Sequence, residues 1–118
     1  MEKRMKQLPD QVLDRVADYF KVLSEPTRLR LLHLLHERER SVGELVEATS
    51  TSQANVSKHL KVMLNAALVA RRPEGTSAIY SVADETVFRL CNSVCERIAD
   101  RIENEAEQFR AVSFVDSN

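Results

Sequence analysis

Residues 52–60 are Ser-Gln-Ala-Asn-Val-Ser-Lys-His-Leu, and the fold prediction starts from this stretch. Ser52 is placed to cap a helix, because a serine hydroxyl can accept a hydrogen bond from a free backbone N–H of the first turn. Apolar residues then recur every three or four positions from Val56 to Leu64, which predicts one buried helical face. The pattern predicts a helix over about 52–66 that presents short polar side chains at its N-terminus.

Three helices are predicted before this one. The first opens at Asp10, and the second is predicted to be capped by Ser24, with Pro26 in its first turn, where proline loses no hydrogen bond. The leucines of the second helix surround it on nearly all sides, so we expect it to be the central, most buried helix. Ser41 and Glu44 have the spacing of a capping box, which predicts a short third helix.

After the helix over 52–66 the apolar pattern changes from a helical period to alternation. Two short β-prone runs flank a Pro-Glu-Gly segment, which predicts a hairpin over about 68–82. A long last helix is predicted over about 84–108, and residues 112–118 are expected to be a frayed tail. The expected fold is mainly α with a β-hairpin wing: five helices in a single winged helix-turn-helix domain over 1–118.

The composition limits the class of protein. The chain has 118 residues, of which 43% are hydrophobic and 30% charged, a balance that fits one globular domain. No apolar run approaches the roughly 20 residues that a membrane-spanning helix needs. The charged N-terminus is not followed by the apolar stretch of a secretory signal, so we expect a cytoplasmic protein without a membrane partner. The two cysteines are then expected to be free thiols.

The basic residues are concentrated in one block, although the net charge of the chain is only −1. Residues 48–73 contain two lysines, two arginines and no acid, whereas residues 84–107 contain seven acids and three arginines. Such a block is what a phosphate-binding surface requires. Charge alone leaves a second interpretation open, which is an ordinary solvated basic face.

The predicted fold gives this block a role in binding double-stranded DNA. In a helix-turn-helix the second helix places its N-terminal residues against base edges in the major groove, and a wing reaches the neighbouring backbone. Gln and Asn can pair with adenine, Ser suits bases or phosphates, and Lys and Arg suit phosphates. A histidine beside the buried face of the helix is either packed or in contact with phosphate. The predicted DNA contacts are Ser52, Gln53, Asn55, Ser57, Lys58, His59, Lys61, Arg71 and Arg72.

Four segments together resemble one family. Residues 23–32 (Leu-Ser-Glu-Pro-Thr-Arg-Leu-Arg-Leu-Leu), 41–45, 52–60 and 68–72 follow the order and spacing of ArsR/SmtB-type regulators. The resemblance covers roughly residues 12–105, and the Ser-Gln-x-x-Val-Ser-x-His-Leu run is its most distinctive part. It implies a homodimeric repressor that binds an inverted-repeat operator and releases it when an inducer binds.

The chain also departs from the family pattern. Ser50 and Ala67 stand where the family has glycines, and Ala67 in a left-handed conformation would store roughly 1 kcal/mol of strain. The family's third-helix metal site implies cysteines where this chain has Ser41 and Gly43. Its last-helix zinc site and its persulfide-sensing cysteine pair are also incomplete, so we expect these sensor sites to be absent.

One face of the last helix combines the predicted dimer contact with the two cysteines. The spacing of three and four residues is that of a coiled-coil seam, which favours packing against a second copy, with the first helix assisting. The predicted seam is Phe88, Cys91, Cys95, Ile98 and Ile102. The two cysteines fit two interpretations. They are either small packing residues or a sensor for a soft metal ion, arsenite or a thiol-reactive species, with no cofactor otherwise expected.

Two other functions fit less well. A winged helix can serve as a protein-interaction module, with the cysteines as core packing, but such a module has no need of the acid-free basic block. An enzyme, such as a thiol oxidoreductase, would need features that are missing. The cysteines are not in a Cys-x-x-Cys motif, and two glycines, Gly43 and Gly75, cannot build a glycine-rich phosphate loop.

Overall fold

The computed structural model describes residues 7–116, which fall into two compact units, one ending at Asp84 and the other beginning at Glu85. The five predicted helices and the hairpin are confirmed, whereas one domain over 1–118 stays a prediction. The first unit consists of α1 (Asp10–Leu23), α2 (Pro26–Glu37), β1 (Arg40–Ser41), α3 (Val42–Thr49), α4 (Gln53–Asn65), β2 (Val69–Glu74) and β3 (Ser77–Val82). The second consists of α5 (Thr86–Asp116). None of the described helices is long and apolar enough to cross a membrane.

The core of the first unit is formed by the inner faces of α2, α3 and α4 and by the start of the hairpin. The buried residues of α2 are Leu31, Leu32 and Leu35, whereas Leu29 is 40% exposed, so α2 packs one face into the core and exposes the opposite side. The prediction that α2 is buried nearly all round is therefore wrong for that side. The side chains with the least exposure in this core are Leu31, Leu32, Leu45, Val56, Leu60, Met63 and Leu68.

Helix starts follow the capping signals, with one exception. The capping box of α3 is present, with the Glu44 N–H donating to Ser41 Oγ (3.2 Å) and the Ser41 N–H donating to Glu44 Oε1 (3.0 Å). Ser52 caps α4 as predicted, through the N–H of Asn55. The predicted cap of α2 is wrong, because Ser24 ends α1 and Glu25 accepts from the Arg28 N–H (3.1 Å).

Two residues hold a left-handed backbone that glycine adopts more readily. Ser50 ends α3 with φ of 53°, and Ala67 follows α4 with φ of 60°. The expected left-handed conformation of Ala67 is thus confirmed. At each of these two positions the left-handed backbone costs an L-residue roughly 1–2 kcal/mol, which the surrounding structure offsets.

The wing supplies two strands, β2 and β3, of a three-stranded antiparallel sheet in the order β1-β3-β2. The hairpin register pairs Val69 with Val82 and Glu74 with Ser77, which leaves a two-residue turn that begins at Gly75, with φ of 62°. Strand β1 was not predicted, because two residues carry no periodic signal. Its residues Arg40 and Ser41 pair with the middle of β3.

Helix α5 extends beyond its predicted end near residue 108. It runs for 31 residues to Asp116, so the predicted frayed tail is wrong over 112–116, and residues 117 and 118 lie outside the described part. The chain has no glycine or proline after Asp84, and nothing local therefore stops the helix.

Candidate nucleic-acid interface

The helix-turn-helix is formed by α3, the turn at Ser50–Ser52 and α4. At the start of α4, the side chains of Ser52, Gln53 and Ser57 are exposed. The N-terminus of a helix also presents free backbone N–H groups and a partial positive charge, which attract phosphate oxygens. This end of α4 thus combines hydrogen-bonding side chains with a local attraction for anions.

Asn55 takes part in the turn itself. Its side-chain Nδ2 donates to Thr51 Oγ1 (3.0 Å), and its backbone N–H donates to Ser52 Oγ (3.1 Å). The backbone N–H and one of the two Nδ2 hydrogens therefore hold the turn before α4. The contact of Asn55 with DNA stays a prediction that now rests on its side-chain oxygen and on the second hydrogen of Nδ2.

The two lysines of α4 are candidates for phosphate contact. Lys58 and Lys61 are exposed and three residues apart, so both project from one side of the helix. Among the described residues, no carboxylate forms an ion pair with either ammonium group. They are the cations of this helix that can pair with phosphates.

His59 lies on the buried face of α4. Its side chain is buried, and Nδ1 accepts a hydrogen bond from Nε of Arg28 (3.1 Å), while Nε2 lies 3.8 Å from Glu25 Oε2. Of the two interpretations of His59, the structure supports packing, and its contact with DNA stays a prediction that this burial argues against. The sequence contained the signal, because residues 56, 59, 60 and 63 follow the spacing of one helical face.

The two arginines of the wing have different surroundings. Arg71 is exposed and has no carboxylate partner among the described residues. Arg72 is held by two carboxylates, with Nη2 lying 2.9 Å from Glu39 Oε1 and 3.1 Å from Glu74 Oε2. Both acids lie outside the acid-free block 48–73, and sequence reasoning therefore missed them. The contact of Arg72 with phosphate stays a prediction, and these two ion pairs argue against it.

The cysteines form a second candidate site, on α5. Cys91 is half-buried and Cys95 is exposed, and both are free thiols. Burial, and then the charge of Cys95, raise the pKa of the Cys91 thiol above its ordinary value of 9.0. Within the described residues, no group of three or more His, Cys, Asp or Glu side chains could hold a metal ion. One chain therefore offers a soft ion two thiols at most.

The seam on α5 is exposed over its second half. Ile98 is 52% and Ile102 is 59% exposed in the single chain. Three further apolar residues on this helix, beyond the predicted seam, are exposed as well: Val94, Phe109 and Val112. Phe109 and Val112 continue the spacing of the seam at seven and ten residues after Ile102, and the prediction missed them because it ended the helix too early.

Known proteins resemble the chain over this same region. Residues 25–71 match the family model described as bacterial regulatory protein, arsR family. This segment includes α3, the turn and α4. The chain is 39% identical over 87 residues to an uncharacterised HTH-type transcriptional regulator of Mycobacterium tuberculosis, which covers 73% of this chain and 75% of the relative.

The chain also resembles a repressor in sequence and a solved winged helix-turn-helix domain in structure. The chain is 35% identical over 104 residues to a probable mercury resistance operon repressor of Streptomyces lividans, which covers 80% of this chain and 83% of that protein. Among solved structures, the homodimeric winged helix-turn-helix DNA-binding domain of a Mycobacterium bovis protein matches with a TM-score of 0.71 and 34% identity. That match covers 80% of this chain and 88% of the other.

Proposed function

The chain belongs to the arsR family of bacterial regulatory proteins, and from this premise we propose how it works as a cytoplasmic, homodimeric repressor. As a member, it is a winged helix-turn-helix, DNA-binding transcriptional regulator and not an enzyme. The proposal concerns the residues that contact the operator, the surface that joins two copies and the inducer. The observation that carries it is the exposed set of polar and cationic side chains on α4.

In the proposed complex, α4 enters the major groove. Gln53 and Ser57 would contact base edges, because they are exposed near the N-terminus of the helix. Lys58 and Lys61 would contact phosphates, and so would Arg71 from the wing. The free ammonium groups support this division, since a cation already paired with a carboxylate releases fewer counterions on binding.

The dimer would form along the exposed seam of α5. Isoleucines that are more than half exposed are costly in water, and two seams packed together remove both from solvent. On α1, Val12 and Phe20 are also exposed, which fits an assisting role for that helix. The M. bovis structural neighbour is itself homodimeric. Two recognition helices related by a two-fold axis then require an operator with inverted half-sites about one DNA turn apart.

For the inducer, we propose a soft metal ion or metalloid bound by Cys91 and Cys95 of both chains. Each chain supplies two thiols on one helix face, and a tetrahedral thiolate site needs four ligands. The S. lividans relative is a probable mercury resistance operon repressor, and mercury is a soft, thiol-seeking metal. A bound ion would change how the two α5 helices pack and so disfavour the DNA-bound dimer.

Selection from random duplexes tests the DNA-binding proposal. Repeated rounds of binding to random duplexes of about 30 base pairs are expected to enrich an inverted repeat. On that repeat, Gln53→Ala and Ser57→Ala should each weaken binding by roughly 1–3 kcal/mol and relax base preference at one position. Lys58→Ala should instead weaken the selected and random duplexes alike. Unchanged binding of both duplexes by Gln53→Ala would contradict the assignment of α4.

A double substitution tests the inducer proposal. Cys91→Ser with Cys95→Ser should keep DNA binding but abolish its release by mercury(II), zinc or arsenite. If the cysteines serve only packing, the double variant should melt at a lower temperature and still be released. Titrating DNA-bound protein with each ion, with thiol state followed by mass spectrometry, separates these results.

A further inference from the structure

The wing holds one of its two arginines in a cluster with a net negative charge. Arg72 Nη2 contacts Oε1 of Glu39 and Oε2 of Glu74, so one guanidinium is shared by two carboxylates. Glu39 is 33 residues away in sequence, at the end of the segment that leads into β1, and Glu74 is the last residue of β2. The three side chains together carry a charge of −1.

The pleat of the sheet separates the two arginines. Arg71 is paired with Tyr80 and Arg72 with Ile79, and successive side chains on a strand point to opposite faces. Arg72 therefore shares a face with Ile79, which in turn pairs with Ser41 of β1. Glu39, two residues before Ser41, reaches Arg72 on that face across β3. The register of all three strands thus brings this acid to Arg72, and Arg71 faces the other way.

We propose that Glu39 and Glu74 form a carboxylate clamp that withholds Arg72 from DNA and thereby limits sequence-independent binding. The clamp rests on the proposed function, since it adjusts how strongly the wing holds a duplex. Arg71 is then the phosphate-binding residue of the hairpin.

The reason lies in what a phosphate would have to displace. Each ion pair is exposed, with side chains 52–62% accessible, and by itself stabilises the fold little. A phosphate that captured Arg72 would, however, leave two carboxylates unpaired beside the negatively charged backbone. Sequence-independent affinity comes almost entirely from cations that release counterions from phosphates. A clamped arginine adds nothing to it, so the clamp weakens the hold of the wing on DNA of any sequence.

Four variants test the clamp on a random duplex of about 30 base pairs, with salt varied from about 50 to 200 mM. Arg71→Gln removes one phosphate ion pair from each chain. For each such pair, binding at about 0.1 M salt is expected to weaken five- to tenfold, and the slope of log K against log salt to flatten by about 0.9. Arg72→Gln removes no phosphate ion pair and is expected to leave that slope unchanged, although the two carboxylates it leaves unpaired lower the affinity.

Freeing Arg72 is expected to have the opposite effect. Glu39→Gln with Glu74→Gln should tighten binding about five- to tenfold for each arginine released and steepen the slope accordingly. Adding Arg72→Gln to that pair should return the slope to its wild-type value, so the triple variant is the matched control for the loss of the two negative charges.

Three outcomes would contradict the clamp. A steepening of the salt slope by the two glutamines that persists without Arg72 would show that Arg72 is not the cation released, and would overturn it. Equal flattening of the salt slope by Arg71→Gln and Arg72→Gln, with wild-type binding intact, would also overturn it while leaving the proposed function standing. Absence of duplex binding by the wild type and every variant would overturn the proposed function and the clamp with it. Circular dichroism confirms that each variant is folded before its binding is compared.

Discussion

Ala67 offers the sharpest test of the backbone conformation, because its left-handed φ of 60° stores strain that a glycine would not. An L-residue in this conformation costs about 1–2 kcal/mol. Glycine relieves that cost but gives the unfolded chain more freedom, which costs about 0.4–1 kcal/mol. Ala67→Gly is therefore expected to raise the free energy of unfolding by about 0.8 kcal/mol.

The neighbouring residue is a matched control. Ala66 has φ of −88°, which any residue adopts without strain. Ala66→Gly makes the same chemical change, so it has the same effect on the unfolded chain and relieves nothing. It should lower stability by about 0.4–1 kcal/mol, with its half-buried methyl adding to the loss. The effect on the unfolded chain cancels between the two variants, and their difference of about 1.5 kcal/mol measures the strain at Ala67.

Urea unfolding followed by circular dichroism gives both values. Several protein concentrations are needed, because the stability of a dimer depends on concentration. The difference corresponds to a separation in melting temperature of about 6 °C for a chain of this size. A loss of stability in Ala67→Gly as large as that in Ala66→Gly would refute the reasoning, since it would mean that no strain is released.

The seam, the capping box and the thiols can each be tested by one substitution. Ile98→Asp places a carboxylate on the seam and is expected to give monomers that no longer bind DNA, and a wild type that sediments as a monomer at micromolar concentration would contradict the dimer. The hydrogen bond from the Ser41 backbone N–H, and then Arg38, lower the pKa of Glu44 from 4.5. Its carboxylate therefore stabilises the fold above pH 4.5, and this stabilisation is lost as the pH falls through the lowered pKa. In urea unfolding, wild type and Glu44→Gln should differ in stability at neutral pH and converge in acid below the lowered pKa. Because the charge of Cys95 helps to raise the pKa of Cys91, Cys95→Ser should speed alkylation of Cys91 by iodoacetamide in mildly alkaline buffer, and mass spectrometry checks the rate.

The elements that the sequence predicts are those encoded by neighbouring residues. The cap at Ser52 and the box of Ser41 and Glu44 need only three residues of spacing, and the apolar period of α4 needs about ten. The cap of α2 shows the limit of such signals. Ser24 and Glu25 can both accept a hydrogen bond from a first-turn N–H, and which one does so depends on where Pro26 begins the helix.

What the sequence could not predict depends on partners brought together by the fold. Strand β1 exists only because β3 lies beside it. The ion pair of Arg72 with Glu39 needs the register of three strands at once. His59 is the opposite case, since its spacing from Val56 marked it as buried, but its residue type suggested a surface role.

The salt dependence of DNA binding tests both the free cations of α4 and the clamped Arg72, because its slope is proportional to the number of cations that contact phosphate. With Arg72 clamped, each chain offers Lys58, Lys61 and Arg71, and a dimer offers twice that set. At about 0.9 per cation, log K should then fall with log salt at a slope near −5, and affinity should drop about a thousandfold between 50 and 200 mM. Were Arg72 to join from both chains, the slope would be about −7 and the drop above ten-thousandfold. A wild-type slope of about −5 that moves toward −7 when Glu39 and Glu74 become glutamine is the result that ties the wing's register to the strength of DNA binding.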